Sequence, residues 1–493
     1  MIVKPSTQSP RPIALVTPGY HALVIETTDG TKCVQGPNRV FEALKSLKGH
    51  VVYAKGLMSL LAATDARQWQ ASCWKGRATA MQLDGTTTKI MSLRDALGEG
   101  DFQDLCVVSS WLADHQVRMG SLSSIAWHLW QSTLPAPISM ASLPALGAAA
   151  FYGPRQEVRR PRSSQHMSIV DVTNAYPAAM VARPIALTLR EVSNATFIDP
   201  SRGGLARARV TVPHELAFAP LPVRVAQGVI QWRTGDVRGV WPWCELAAAQ
   251  EMGCQVGIER CYAPMIEASP FDQWFALQAE ARSLGGWAGN FMKHVGTLLW
   301  GMFAMSGDFA ATVRWSDEIG EHPIVVDRPT RRLPQASTAH VAAEIAARVR
   351  TDTLAEVYKM KAFPIHIDTD GVIVRRSVAT TYPKTAIAGQ WRRKTAMRRV
   401  EVRAPQLYRY QCDQDCCIAD MGPGGNWHYV AAGMTNHQAA ELFDRVATPS
   451  RISVMDRDCV LPPMRHDEKE KLEPYLKEAQ MLRMALFGPS LDR

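Results

Sequence analysis

The sequence predicts an α+β protein of several domains, and three observations carry that expectation. At 493 residues the chain is too long for one ordinary hydrophobic core, given ~150 residues per domain. Hydrophobic residues make up 46% and charged residues 20%, so no part of the composition argues for disorder. Two apolar β-type segments that carry carboxylates, a strand at 168–172 and a hairpin at 365–374, are separated by long helical patterns.

Taken in order, the first ~150 residues alternate β-type runs such as His21–Glu26 with helical runs such as Val40–Leu47, which reads as a small α/β domain. Pro135-Ala-Pro137, followed by the basic stretch Arg155–Arg162, marks a change of composition and a first boundary. Ser168-Ile-Val-Asp-Val172 is a strand, and Ile365–Val374 reads as two strands joined by the tight turn Asp368-Thr-Asp-Gly371. Between them, Phe271–Arg282 is helix-like, Leu284–Gly289 breaks the pattern, and Phe291–Met305 resumes it, so a helical hairpin is expected. The last stretch, Arg465–Arg493, has the pattern of a charged amphipathic helix.

Charge and cysteine usage narrow the function classes. Lys and Arg exceed Asp and Glu by 55 to 46, and basic residues gather at 155–162, around Arg331-Arg332 and at 392–403, which favours a polyanionic partner. The ten cysteines lack paired spacing, and no leader pattern opens the chain, so a reducing cytoplasmic compartment is expected. Apolar runs fall far short of the ~18 residues a membrane helix requires.

Asp171, Asp368 and Asp370 could converge on one sheet edge. Such convergence is costly unless cations neutralise it, and two Mg²⁺ ions are the recurrent solution where a phosphodiester is made or broken. By itself the Asp-Thr-Asp-Gly turn favours ordinary turn chemistry. The motif Asp171-Val-Thr-Asn-Ala-Tyr-Pro177 changes the balance, because it resembles the first palm motif of family B DNA polymerases, Asp-x-x-Ser-Leu-Tyr-Pro. The closest pattern is that of protein-primed phage and plasmid replicases. His366-Ile-Asp-Thr-Asp-Gly371 resembles the third motif, Tyr-x-Asp-Thr-Asp-Ser. Lys293-His-Val-Gly-Thr-Leu-Leu-Trp-Gly301 resembles the middle one, Lys-x-x-x-Asn-Ser-x-Tyr-Gly, with Thr297, Leu298 and Trp300 in place of Asn, Ser and Tyr. All three stand in the family's order.

The resemblance implies a right-hand fold of palm, fingers and thumb behind an RNase H-like exonuclease-type domain. Its expected divisions are 1–148 for that domain, 149–270 and 306–400 for the palm, 271–305 for the fingers and 401–493 for the thumb and terminal helices. It implies that Asp171, Asp370 and the backbone of Val172 hold two Mg²⁺ ions, with Mn²⁺ a substitute, and that Asp368 supports them. Lys293, Arg282, Asn174, Tyr176, Thr297 and Trp300 would surround the nucleotide, with Tyr176 excluding a 2′-hydroxyl. Tyr152, Gly153 and Arg155 would touch template. Gln406 and Tyr408 stand in the Lys-x-Tyr element that holds the primer end, with Gln where Lys is usual.

The partners implied are primer-template DNA, deoxynucleoside triphosphates and phage or plasmid replication proteins. In the N-terminal region Leu23–Thr28 resembles the first exonuclease motif with Val24 for Asp, and Val52–Met58 the second with Met58 for Asp, so no 3′→5′ proofreading is expected. For Cys412, Cys416, Cys417 and His428, free thiols are a stronger reading than a Zn²⁺ site, since adjacent cysteines chelate poorly.

Overall fold

A computed structural model describes residues 2–3, 11–18, 22–35, 37–54, 68–74, 77–83, 88–92, 101–140, 144–158, 162–192, 198–225, 230–304, 309–315, 324–327, 338–360, 363–404, 406–413, 427–431, 440 and 443. Three larger sheets organise them. The central one has seven antiparallel strands in the order Gln156–Val158, His366–Asp368, Gly371–Arg375, Arg162–Val172, Trp391–Ala404, Leu407–Cys412, His428–Ala431. The strand carrying Asp171 therefore lies in the middle, between Gly371 and Arg392. Its apolar residues and those of its neighbours bury Met167, Val170, Ile367, Val372 and Val374 on the two faces, as alternation on a covered sheet requires.

The expected hairpin at 365–374 is present: Asp368 pairs with Gly371 across the two-residue loop Thr369-Asp370. Thr369 sits at φ 66°, the left-handed conformation such loops need and one that a branched side chain rarely takes. The turn is tied down because the Thr369 amide donates to the Arg155 carbonyl (2.7 Å) and the Val172 amide to the Asp370 carbonyl (2.9 Å).

The expected helical hairpin also forms, from Asp272–Arg282 and Gly286–Met302. The second helix begins five residues before the expected Phe291, since the break is confined to Ser283–Gly285, with Gly285 at φ 69°. Glycine is needed along the contact: a Cβ on Gly289 would run into the Arg282 carbonyl, and one on Gly296 into the Gln278 side chain. Against this hairpin and the short helix Ala175–Val181 lies the Ala-rich helix Ala339–Lys359, buried on nearly all sides. It carries two ion pairs out of water, Arg348–Glu344 (2.5 Å) and Arg350–Glu245 (2.8 Å).

Sheet membership cuts across the expected divisions in three places. Residues Ile185–Ala268, expected in the palm, build a separate four-stranded sheet with its own core around Val210, Trp241 and Leu246. The hairpin Phe309–Trp315 and Ile324–Asp327, also expected in the palm, pairs with Gln68–Trp74 and extends the N-terminal sheet to nine strands. Leu407–Cys412 and His428–Ala431, expected in the thumb, continue the seven-stranded sheet. In each case the strand is legible locally, but its partner lies far away in the chain, where pattern has no reach.

The N-terminal sheet places Ile13–Pro18 antiparallel to Ala22–Thr27 and parallel to Val51–Ala54, which is parallel in turn to Lys89–Ser92. The expected strand and helix of this region are found at Ala22–Thr27 and Pro37–Ser46. Its helices Phe102–Asp114 and Leu122–Ser132 start on side-chain caps from Asp101 and Ser121 and pack on the fingers. There, Trp127 and Trp130 interlock with Phe271 and Phe303 at ring separations of 4.9–5.6 Å. Met58, Cys416, Cys417 and the expected helix at 465–493 lie outside the described residues, while Cys412 ends its strand and His428 stacks on Tyr410.

Candidate active site

The structure brings Asp171, Asp368 and Asp370 together at one end of the palm hairpin. Asp370 is pushed up to about 7 by burial and by the charges of Asp171 and Asp368, the penalty expected when carboxylates share a poorly hydrated site. Gln406, at φ 57°, donates its side-chain amide to Asp368 (3.0 Å) and its backbone amide to His366 Nε2 (3.3 Å). The residue in the usual lysine position therefore restrains the carboxylate cluster. Tyr408 is buried against His366 at 5.4 Å.

On the other side of Asp171 lies a group of cations. Arg392 Nε is 3.1 Å from one carboxylate oxygen and Lys394 Nζ is 3.1 Å from the other. Lys293 has its pKa lowered, first by burial and then by the charges of Lys394, Arg282 and Arg392, which places all four cations within one electrostatic field. Arg282 is lowered for the same two reasons, burial and Arg392, and its guanidinium donates to the Asn174 side chain. Asn174, at φ 51°, precedes the short helix Ala175–Val181.

Lys293, Thr297 and Trp300 recur at helical spacing on the second fingers helix. Trp300 stacks on Tyr176 with centroids 4.4 Å apart and planes 9° from parallel. Tyr176 is buried, and its hydroxyl has no hydrogen-bond partner among the described residues. The expected nucleotide residues thus come together: Asn174 with Arg282, Tyr176 with Trp300, and Lys293 beside the carboxylates. The Thr297 hydroxyl bonds back to the His294 carbonyl (3.1 Å).

Tyr152 and Arg155, expected at the template, have their side chains buried inside the protein. The Arg155 side chain is fully buried, paired with Glu157 and laid over Trp232 at 5.1 Å, while its carbonyl holds Thr369. Tyr152 is buried under Arg224. Gly153, at φ 74°, gives its carbonyl to Arg350. The whole element is a brace behind the carboxylate turn, because a cation with an internal partner is retained in the core. Sequence reading missed Arg392 and Lys394, which it saw only as part of a basic stretch. Their two-residue spacing was the available signal, since it puts both on one face of a strand.

Hard oxygen donors whose repulsion a cation would relieve suit Mg²⁺. Among the described residues no three His, Cys, Asp or Glu side chains gather closely enough to hold an ion by themselves. Asp171 and Asp370 would therefore share it with backbone and substrate oxygens, as Mg²⁺ at phosphate sites commonly requires.

Sheet, turn and helical hairpin together have the fold seen in a DNA polymerase. In particular the chain is similar to Phi29 DNA polymerase. Against that protein with primer-template DNA, the TM-score is 0.66 at 11% identity, over 88% of this chain and 95% of the other. Against its ternary complex with incoming nucleotide and its complex with single-stranded DNA, the TM-score is 0.65 at 11% identity, over 89% and 95%. At this identity the likeness is one of fold. No protein-family model and no curated protein matches the chain. No helix among the described residues is long and apolar enough to cross a membrane.

Proposed function

We propose that the protein is a template-dependent DNA polymerase that adds deoxynucleotides to a primer 3′-hydroxyl. The observation that carries this reading is the juxtaposition of Asp171 and Asp370 with Lys293, Arg282 and the Tyr176–Trp300 stack. Two Mg²⁺ ions bound by the carboxylates would activate the attacking oxygen and stabilise the departing one. Lys293 and Arg282 meet the triphosphate from the fingers. Tyr176, backed by Trp300, presents a rigid wall against the sugar edge and disfavours a ribonucleotide, which argues against a primase-like activity. Gln406 holds Asp368 in place, and Arg155 and Arg350 hold the strands behind it.

Proofreading is absent on this reading. Ile13–Pro18, Val51–Ala54 and Lys89–Ser92, the parallel strands at the centre of the N-terminal sheet, carry no carboxylate, and Val24 lies on the neighbouring strand opposite Thr17. The domain instead buttresses the fingers through Trp127 and Trp130. A polymerase without proofreading and with Thr297 and Trp300 in its nucleotide pocket suits phage or plasmid replication or damage-tolerant synthesis.

A 5′-labelled primer on a longer template, with Mg²⁺ and dNTPs or NTPs, tests the reading. Extension by dNTPs that disappears in Asp370→Ala, with no shortening when nucleotides are omitted, is the expected result. Primer shortening overturns the loss of proofreading. One observation favours a second reading, a weak or inactive DNA-binding scaffold: Arg392 and Lys394 together engage both oxygens of Asp171. Tight primer-template binding without extension would select it.

A further inference from the structure

We propose that Arg392 and Lys394 are nucleotide-phosphate ligands, which complete with Arg282 and Lys293 a four-cation cradle able to hold a triphosphate without a divalent ion. The inference rests on the polymerase reading of the site.

Arg392 and Lys394 lie two residues apart on the strand Trp391–Ala404, and Arg392 is the direct cross-strand partner of Asp171. The register therefore sets both side chains beside the carboxylate, each at 3.1 Å. On the opposite flank Asp171 faces Gly371, whose added Cβ would stand 3.2 Å from that of Asp171. The positive side chains next to Asp171 on the sheet thus come from one flank, and the carboxylates Asp370 and Asp368 stand at the hairpin end on the other.

As counter-ions alone the cations are in excess. Arg282, Lys293, Arg392 and Lys394 share this space with three carboxylates, Asp171, Asp368 and Asp370, and two of the four bind Asp171 alone. Lys293 makes no ion pair among the described residues, and Arg282 bonds to the neutral Asn174. Gathering like charges in a partly dehydrated cleft is unfavourable until a polyanion fills it. Asp171 is 14% exposed, but the side chains of Arg392 and Lys394 are 35% and 53% exposed, so both can turn to a ligand in the cleft. Lys293 and Arg282 reach in from the fingers, and Arg392 and Lys394 from the palm. An arriving triphosphate takes the palm pair from Asp171, and the same exchange frees both carboxylate oxygens. Nucleotide therefore prepares the site for its cations.

Equilibrium dialysis of labelled dNTP against the full chain with primer-template, in EDTA and in Mg²⁺, tests this without recourse to activity. Expected are binding by wild type in EDTA, competition by inorganic triphosphate, and an affinity at least ~10-fold lower in EDTA for Arg392→Gln/Lys394→Gln, about the effect of one charge-assisted contact. The wild-type arm needs no variant, and melting curves with primer-template binding establish that the variant is folded. Wild-type binding confined to Mg²⁺, or unchanged affinity in the folded double variant, overturns the cradle and leaves the polymerase reading standing. Wild type that binds no dNTP even with Mg²⁺ overturns both.

Discussion

At the scale of single residues, Asp370 and Tyr176 lead to separate tests. Asp370 has its pKa raised from 3.8 to about 7, so the folded state favours the protonated form. The corresponding stability is complete below the ordinary carboxyl range and is lost as pH rises through about 7. In metal-free buffer this group's contribution to the melting temperature should therefore fall between about pH 4 and pH 7 and level off above it. Asp370→Asn should flatten that slope, and Mg²⁺ should offset it in the wild type by neutralising the ionised pair. An identical slope in the variant would show that another group titrates. Tyr176 is a stacked wall rather than a ligand, so Tyr176→Val should raise NTP incorporation relative to dNTP by about tenfold or more, as the loss of a steric exclusion does. Single-nucleotide extension measures the ratio, and an unchanged ratio would leave Tyr176 only its packing role.

At the scale of elements, the fingers hairpin and the brace behind the turn are the vulnerable parts. Gly296 lets the two fingers helices touch at Gln278. Gly296→Val should cost about 1–3 kcal/mol through overpacking, and it should weaken nucleotide affinity by tilting Lys293, three residues earlier. Thermal unfolding and dNTP dialysis read the two effects separately. The Arg350–Glu245 pair is buried and bidentate, with Arg350 also gripping Gly153. Glu245→Ala leaves that guanidinium without its partner, and about 3–5 kcal/mol should be lost, the usual effect of breaking a buried pair. A change within experimental error would mean that the Gly153 carbonyl suffices.

Over the whole molecule, one apolar core runs from the N-terminal helices through the fingers to the helix Ala339–Lys359. Trp130→Ala should therefore loosen the fingers as well as its own domain, at about 3–5 kcal/mol, with protease sensitivity rising at both. Sequence alone determined the local chemistry: three motifs in order, the carboxylate hairpin, the helical hairpin, and the aromatic and basic residues Tyr176, Trp300, Arg282 and Lys293. Those features are legible because turns, strands and helical periods are set by neighbours a few residues apart. Tertiary structure alone decided which sheet takes 185–268, 309–327 and 407–431, why Arg155 is a buried brace, and that Arg392 and Lys394 flank Asp171. Each of these depends on strand pairing across tens to hundreds of residues, and a one-strand change of partner alters every side-chain neighbour while leaving the local pattern untouched.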